Sequence, residues 1–130
     1  MAEKILVDTD VLIEAFERRN EAILGKLFNY NIYVSYVSLY EYLYGFKYIG
    51  KDVVKEKDML EKVVNIVYPS QDVILKALEI DVDLSRKEEK IPQADIIIAA
   101  TAIVLGMPLY TMDLTHFSRL KRYGLKLVTI

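Results

Sequence analysis

The sequence predicts an α/β protein, a three-layer α/β/α sandwich around a central, mostly parallel sheet of about four to five strands. Two observations support this fold class. Short apolar runs alternate along the chain with segments of helical spacing, which is typical of a parallel sheet covered by helices on both faces. The chain has 130 residues, of which 53% are hydrophobic and 28% are charged, enough for one substantial core. We therefore expect residues 1–130 to form a single domain.

The first predicted elements are a strand, a helix and a second strand. Residues 4–7 form a short apolar run that predicts a buried strand ending at Asp8. Apolar side chains recur at helical spacing in residues 11–18, which predicts the helix. Residues 32–37 are rich in β-branched and aromatic side chains, and this composition favours a strand.

The middle of the chain predicts two helices and a third strand. Residues 38–46 begin with Ser-x-x-Glu, the pattern of a capping box in which Ser38 and Glu41 would be reciprocal partners at a helix N-terminus. Residues 51–64 place apolar side chains at helical spacing among charged ones and predict a second helix. Residues 66–68 form a short apolar run that predicts a strand.

The last part of the chain predicts three helices and two strands. One helix runs from Ser70 toward Lys90, and a very apolar helix then starts at Ile91-Pro92, since proline is favoured in the first helical turn. We expect that helix to end at Gly106. The remaining predictions are a strand at 109–112, a short basic helix at 116–123 and a final strand at 125–130.

The composition excludes several kinds of chemistry. No residue is Cys, so disulfides, thiol catalysis and Cys-ligated zinc are ruled out, and a metal would be held by oxygen atoms or by His116. Hard cations such as Mg²⁺ or Mn²⁺ are the natural candidates. The formal net charge of -2 gives no global field that attracts a polyanion, so a nucleic-acid role needs local basic patches or bound cations.

The chain also predicts a cytoplasmic protein without membrane association. Its N-terminus carries Glu3 and lacks the long apolar stretch of a secretory signal. The longest apolar run, residues 96–110, is interrupted by Thr101, Gly106 and Pro108. That run is shorter than the ~20 residues needed to span a bilayer.

Four acids are expected at one edge of the predicted sheet. Asp8 ends the first strand, and Glu41 lies in the first helical turn after the second strand. Asp95 lies in the first turn of the apolar helix, and Asp113 follows the strand at 109–112. Ligands of open parallel sheets bind beyond the carboxyl ends of the strands, where helix N-termini also point. Although they are far apart in sequence, these acids therefore predict a single site.

Each acid also has a structural explanation, as a helix-capping or dipole-stabilising residue. Asp95 is the hardest to explain in that way, because Ala94 and residues 96–100 surround it with apolar surface. A desolvated carboxylate is costly unless it is paired or metal-bound, and no Lys or Arg occurs between Lys90 and Arg119. We therefore expect a cation from outside the chain. An all-carboxylate Mg²⁺ site suits phosphodiester hydrolysis, because the ion activates water and stabilises charge on the phosphate.

Four short motifs occur in order along nearly the whole chain. They are Val7-Asp8-Thr9-Asp10-Val11-Leu12-Ile13, Ser38-x-x-Glu41-x-x-x-Gly45, Pro92-x-Ala94-Asp95-x-x-Ile98-Ala99-Ala100 and Thr111-x-Asp113-x-x-His116-Phe117. Together they resemble the ordered motifs of the PIN-domain family. The size and layout of the chain are similar to those of the VapC-type ribonuclease toxins.

This resemblance implies a Mg²⁺- or Mn²⁺-dependent endoribonuclease that is the toxin of a type II toxin-antitoxin pair. It implies that Asp8, Glu41 and Asp95 are the central catalytic and metal-binding acids. Asp113 would complete the metal site, and Thr111 would help to hold a ligand or a water molecule. The resemblance further implies an RNA substrate, a homodimer, and a small antitoxin whose segment covers the acidic site or the aromatic helices.

Several residues near these motifs have more than one interpretation. Asp10 stands where the family more often has Asn, Ser or Thr, and it could recruit a second ion or merely cap the helix. His116 is interpreted as a helix-start or packing residue rather than a general base. Tyrosines concentrate beside Glu41, where they could stack on bases, although packing is the simpler interpretation. These tyrosines are Tyr36, Tyr40, Tyr42, Tyr44 and Tyr48.

Two other function classes fit parts of the sequence. Asp8-Thr9-Asp10 after an apolar strand resembles the first motif of haloacid-dehalogenase-type phosphatases, in which Asp8 would be a covalent nucleophile and Asp10 the acid/base. That alternative lacks the usual Gly-Thr after the second acid and gives Glu41 no role. A non-catalytic domain that binds RNA or a protein partner, with its acids serving only as caps, is the third hypothesis.

Overall fold

A five-stranded sheet forms the centre of the structure, a computed structural model that describes residues 2–129. The strands are β1 (Lys4–Val7), β2 (Asn31–Ser35), β3 (Asn65–Val67), β4 (Leu109–Tyr110) and β5 (Leu127–Val128). Their order across the sheet is β3-β2-β1-β4-β5, and every neighbouring pair is parallel. β1 is therefore the central strand, and its last residue, Val7, pairs with Tyr110 of β4.

The helices connect successive strands, as parallel pairing requires. The helices before β3 are α1 (Thr9–Leu12), α2 (Glu21–Leu27), α3 (Tyr36–Tyr48) and α4 (Val53–Glu61). A single π-helical turn (Ile13–Glu17) directly continues α1. After β3 they are α5 (Gln71–Arg86), α6 (Gln93–Leu105), α7 (Leu114–Phe117) and a 3₁₀ segment (Ser118–Tyr123). No helix within residues 2–129 is long and apolar enough to cross a membrane.

Side chains of β1 alternate between two cores. Ile5 and Val7 pack in one core with residues of α1 to α4, whereas Leu6 packs in the other with residues of α5, α6 and α7. All three side chains are fully buried, as expected for a central strand that is covered on both faces. The structure thus confirms the predicted three-layer α/β/α fold with its parallel sheet.

The start of α3 differs from the prediction. The helix begins two residues earlier, at Tyr36, and is capped by Ser35, whose hydroxyl accepts a hydrogen bond from the backbone N–H of Val37 at 3.2 Å. The predicted capping box is wrong, because Ser38 lies inside the helix with its hydroxyl buried and without a hydrogen-bond partner among the described residues. Glu41 consequently lies in the second helical turn rather than the first. Two serines three residues apart both suit a cap, and only the end of β2 selects Ser35.

Other elements differ mainly in their ends. The helix α2 was not predicted; its N-cap Asn20 accepts a hydrogen bond from the N–H of Ile23 at 3.3 Å. The helix predicted for residues 70–90 ends at Arg86, and the strand predicted for 109–112 ends at Tyr110. Ile130, in the predicted last strand, lies outside the described residues. Gly106 ends α6 in the left-handed conformation, with φ 67°, as its position in the sequence predicted.

Candidate active site

Asp8 is a buried carboxylate at the carboxyl end of β1. It is only 7% exposed, and it caps α1, because its Oδ1 accepts a hydrogen bond from the N–H of Thr9 at 2.7 Å. Its Oδ2 accepts a hydrogen bond from the hydroxyl of Thr111 at 2.8 Å. Burial raises the pKa of Asp8 to about 7; the charge of Asp10 adds to the rise, and the hydrogen bonds from Thr111 and Thr9 oppose it. Ionised Asp8 is therefore costly unless positive charge comes near it.

Thr111 joins the ends of the two central strands. Its buried hydroxyl donates to Asp8 and accepts a hydrogen bond from the N–H of Asp113 at 3.0 Å. Asp113 in turn caps α7, with its Oδ1 accepting from the N–H of His116 at 3.4 Å. One hydroxyl thus fixes the buried acid of β1 relative to the acid that follows β4.

Asp95 lies in the first turn of α6, where its side chain meets His116. The Oδ2 of Asp95 is 2.9 Å from Nδ1 of His116, and the same nitrogen is 3.2 Å from Oδ2 of Asp113. Burial raises the pKa of Asp95; the contact with His116 opposes the rise, and the charges of Asp113 and Glu41 add to it. The sequence offered Asp95 no nearby Lys or Arg, and in the structure its partner is His116. His116 lies at the start of α7, as the sequence predicted, and its ring also contacts the acids of the site.

Glu41 approaches the same edge of the sheet from α3. Its side chain is exposed, and its Oε1 accepts a hydrogen bond from the hydroxyl of Thr9 at 2.6 Å. Thr9 directly follows Asp8, so this bond ties α3 to the end of β1. The charge of Glu41 also adds to the rise in the pKa of Asp95.

Asp10 holds the loop that follows β4. Its Oδ2 accepts a hydrogen bond from the N–H of Met112 at 3.1 Å, and its Oδ1 is buried without a hydrogen-bond partner in the part of the chain that the structure describes. Burial raises the pKa of Asp10, and the hydrogen bond from Met112 opposes the rise. Asp10 adds a further negative charge beside Asp8 and a link between α1 and this loop.

The donor set fits a divalent cation. Oxygen or nitrogen atoms of Asp95, Asp113 and His116 lie within 4.8 Å of one another, the separation of groups that share one ion. Carboxylate oxygens dominate the neighbourhood, and Mg²⁺ and Mn²⁺ prefer such ligands. Within residues 2–129, no Lys or Arg forms an ion pair with Asp8, Glu41 or any other acid of the cluster. The cluster therefore lacks the positive charge that a bound cation would supply.

The structure brings the sequence-predicted site residues to the carboxyl edge of the sheet, and it adds one to which the sequence interpretation gave no role beyond helix start or packing. Among residues 2–129, the group of three possible metal ligands contains Asp95, Asp113 and this additional residue, whereas Asp8 and Glu41 lie outside that group. The additional residue is His116, and the signal for it was present in the spacing. Because Asp113 caps α7, a residue three positions later lies over that cap, within reach of the same carboxylate.

A family model described as "PIN domain" matches residues 5–123. The chain belongs to the PIN domain family. Over 124 residues it is 34% identical to "Ribonuclease VapC1" of Methanocaldococcus jannaschii, and the aligned region covers 95% of this chain and 86% of that protein. Membership of the PIN domain family overturns the haloacid-dehalogenase alternative. In that alternative Asp10 would be the acid/base, whereas in the structure its Oδ2 accepts a hydrogen bond from the backbone N–H of Met112.

Solved structures share this PIN domain fold. The structure of VapBC2 from Rickettsia felis, bound to a DNA fragment from its promoter, aligns with a TM-score of 0.84 at 22% identity over 96% of this chain and 97% of that chain. A toxin-antitoxin complex from Klebsiella pneumoniae aligns with a TM-score of 0.74 at 26% identity over 96% of each chain. These alignments span the whole sheet and both helical layers.

Proposed function

We propose that this PIN domain, comprising the whole of residues 1–130, is a metal-dependent endoribonuclease that hydrolyses RNA phosphodiester bonds. The observation that carries the proposal is the convergence of acids from distant elements on one sheet edge without a Lys or Arg partner in the described chain. A functional site explains this costly arrangement, whereas helix capping explains only the contacts of Asp8 and Asp113. The similarity to a protein named as a ribonuclease supports the choice of RNA.

In this proposal Asp8, Glu41, Asp95 and Asp113 are the catalytic acids and hold Mg²⁺ or Mn²⁺. A divalent cation bound there would stabilise negative charge on the scissile phosphate and on the leaving oxygen. Thr111 keeps the buried carboxylate of Asp8 oriented toward the site through its 2.8 Å hydrogen bond. These residues bind, orient and screen the phosphate.

His116 is a positioning residue in this proposal. Its Nδ1 lies between the carboxylates of Asp95 and Asp113, at 2.9 and 3.2 Å, so it holds two acids from different elements in a fixed relation. An imidazole that bonds to a metal-binding carboxylate keeps that ligand oriented. Asp10 is an auxiliary residue that holds the loop carrying Asp113.

Cleavage of a pool of single-stranded and structured RNA by the purified protein tests the activity. We expect cutting with Mn²⁺ or Mg²⁺, loss of cutting with EDTA, and loss of cutting in Asp95→Asn. Asp72→Asn is the matched control, because Asp72 lies in the first turn of α5 as Asp95 does in α6, yet outside the acidic cluster. Cutting that persists in Asp95→Asn would refute the proposed site. No cutting and no saturable Mn²⁺ binding would favour the non-catalytic binding domain.

We also propose that the enzyme is a homodimer. The surface of α5 exposes four large apolar side chains that no described residue covers, namely Ile74, Leu75, Leu78 and Val82. Beside them lie two grooves of about 240 and 250 Å³, one between α5 and α6 and one between α3 and α6. Apolar patches of this kind mark protein contacts.

Light scattering measures the oligomeric state directly. Leu78→Arg should convert the dimer to a monomer, because Leu78 lies in the groove between α5 and α6 and is 54% exposed. Val54→Arg on α4 is the control, since Val54 is also exposed but lines neither groove. A wild-type monomer would refute the dimer.

A small antitoxin is the partner we propose, since the Klebsiella pneumoniae structure is a toxin-antitoxin complex and that chain has this fold. The chain would then act as the toxin of a type II pair, in the cytoplasm, where its RNA substrate is found. A groove of about 620 Å³ between the α1 to α4 elements, where apolar Phe16, Phe28 and Met59 lie among charged side chains, gives such a partner both apolar and charged groups to contact. Co-purification with a small protein encoded beside this gene, together with loss of RNA cutting in the complex, is the expected result. A complex that cuts at the full rate would refute inhibition by that protein.

A further inference from the structure

Thr9 contacts two acids of the site that come from different parts of the fold. It is the first residue of α1, and its backbone N–H donates a hydrogen bond to Oδ1 of Asp8 at 2.7 Å. Its hydroxyl donates a hydrogen bond to Oε1 of Glu41, on α3, at 2.6 Å. Thr9 thus joins the acid at the end of β1 to the acid of α3 through two different donors.

The two acids joined in this way lie outside the group of three possible metal ligands. In residues 2–129 that group contains Asp95, Asp113 and His116, and the imidazole of His116 contacts both acids of the group. Asp8 and Glu41 do not belong to it. The site therefore consists of two pairs of acids, and each pair has one residue that contacts both members.

Glu41 is the acid of the site that its surroundings restrain least. Its side chain is exposed, whereas Asp8, Asp95 and Asp113 are buried or half-buried. No ion pair within residues 2–129 involves Glu41. A glutamate also loses considerable rotamer entropy when its long side chain is fixed. A bond that restricts this side chain before an ion arrives therefore favours binding of the ion.

The hydroxyl of Thr9 is well placed to restrict Glu41. Threonine is β-branched and has few χ1 rotamers, and its backbone is held at the start of α1 by the bond to Asp8. A hydrogen bond to an ionised carboxylate is stronger than one between neutral groups. The bond from Thr9 engages Oε1, and a carboxylate has a second oxygen with which to bind an ion.

We propose that Thr9 is a positioning residue, which holds Glu41 in the conformation that binds the divalent cation. Its hydroxyl acts through the carboxylate of Glu41. This inference rests on the metal-dependent ribonuclease proposed above and deepens it, since it concerns the same site. Thr9 has for Glu41 and Asp8 the role that His116 has for the other two acids.

Calorimetric titration of the purified full chain with Mn²⁺ tests this role without RNA. Thr9→Val removes the hydroxyl, has nearly the same shape and keeps the backbone N–H that bonds to Asp8. It should weaken Mn²⁺ binding about tenfold, the lower end of the range for losing a bond that orients a metal ligand. Thr9→Ala removes the same hydroxyl with a smaller side chain and should show the same loss. Thr9→Ser keeps the hydroxyl and should bind Mn²⁺ like the wild type.

Thr101→Val is the matched control for loss of a threonine hydroxyl. Thr101 also lies in a helix, α6, and its hydroxyl donates to the backbone carbonyl of Ile97 at 2.7 Å and not to an acid. This variant should leave the Mn²⁺ affinity unchanged.

A double-mutant cycle measures whether the hydroxyl acts through Glu41. Urea unfolding is followed in EDTA for the wild type, Thr9→Val, Glu41→Ala and the double variant. Thr9→Val should lower the urea midpoint of the wild type and leave that of Glu41→Ala unchanged, because no carboxylate remains for the hydroxyl to hold. Equal lowering in both backgrounds would mean that the hydroxyl has a different partner, and it would overturn the proposal.

The outcomes distinguish this inference from the proposed function. If Thr9→Val loses stability but binds Mn²⁺ like the wild type, the hydroxyl is only structural, and the proposal fails while the ribonuclease stands. A loss of affinity that Thr9→Ser shares would also overturn it. A wild type without saturable Mn²⁺ binding would refute the metal site and this inference together. Hydroxyl-dependent Mn²⁺ binding in a protein that cuts no RNA would support the positioning role and refute the nuclease.

Discussion

The buried carboxylate of Asp8 makes the stability of the metal-free protein dependent on pH. Its pKa is about 7 in the folded protein, against an ordinary value of 3.8. Below both values Asp8 is protonated in the folded and the unfolded chain alike. Between about pH 4 and pH 7 the folded protein keeps a proton that the unfolded chain releases, so stability falls as the pH rises through that window. Above about pH 7 the full penalty for burying the charge is present.

The size of this effect follows from the same two values. A tenfold change in proton affinity corresponds to about 1.4 kcal/mol, so the rise in pKa from 3.8 to about 7 corresponds to about 4 kcal/mol. That is a large fraction of the roughly 5–15 kcal/mol by which domains are stable. Asp8→Asn has nearly the same shape and no charge, and it should remove this dependence. In EDTA, Asp8→Asn should therefore be more stable than the wild type at about pH 8 and have no such advantage at about pH 4.

Urea unfolding of both proteins in EDTA at about pH 4, 6 and 8 measures the effect. Asp10 and Asp95 also have raised pKa values and remain in both proteins, so the difference between wild type and variant reports Asp8 together with its charge coupling to these two acids. A difference that stays constant over this pH range would refute the reasoning. Saturating Mn²⁺ at about pH 8 should stabilise the wild type, by about 2.7 kcal/mol at a hundredfold excess over Kd, and stabilise the variant less.

Three further predictions concern contacts at the site and at the start of α3. Thr111→Val leaves Oδ2 of Asp8 and the backbone N–H of Asp113 without their shared partner, so it should lower the free energy of unfolding by about 1–3 kcal/mol in urea titrations. Thr111→Ser keeps the hydroxyl and should not lower it. His116→Ala should weaken Mn²⁺ binding about 10- to 100-fold by calorimetry while the far-ultraviolet circular dichroism is unchanged; unaltered affinity would mean that His116 does not position the acids. Ser35→Ala should cost about 1 kcal/mol through loss of the α3 cap, while Ser38→Ala should be neutral or stabilising, because it removes a buried hydroxyl without a partner. Thermal melting of the two serine variants checks this contrast, and equal losses would contradict it.

The sequence predicts the sheet well because the sheet depends on patterns that are local. β1 is a run of apolar residues, and burial on both faces leaves no other place for it. The acid at its end, Asp8, is located as soon as the strand is recognised. The start of α3 could not be predicted in the same way, because Ser35 and Ser38 are both plausible caps and the choice depends on where β2 stops pairing with β3.

The contacts inside the site are harder to predict than its members. Whether Asp95 has a partner in the chain depends on how α6 lies relative to α7, and that packing is not a property of either segment alone. The same applies to the bond from Thr9 to Glu41, which joins residues 32 positions apart. Sequence patterns identify acids at helix starts, but only the packing of helices on the sheet determines which carboxylates share a neighbourhood.

The distribution of the acids over the three layers explains why the chain cannot neutralise them by itself. Asp8 directly follows β1 of the sheet, Glu41 belongs to the layer of α1 to α4, and Asp95 belongs to the layer of α5 and α6. The two helical layers meet over the carboxyl edge, where α3 and α6 contact each other, and there each acid faces acids from other layers. In the part of the chain described, His116 is the one basic side chain paired with the cluster, and it contacts Asp95 and Asp113 but not Asp8 or Glu41. Because every layer brings negative charge to this edge, the arrangement favours a cation from solution as the counterion.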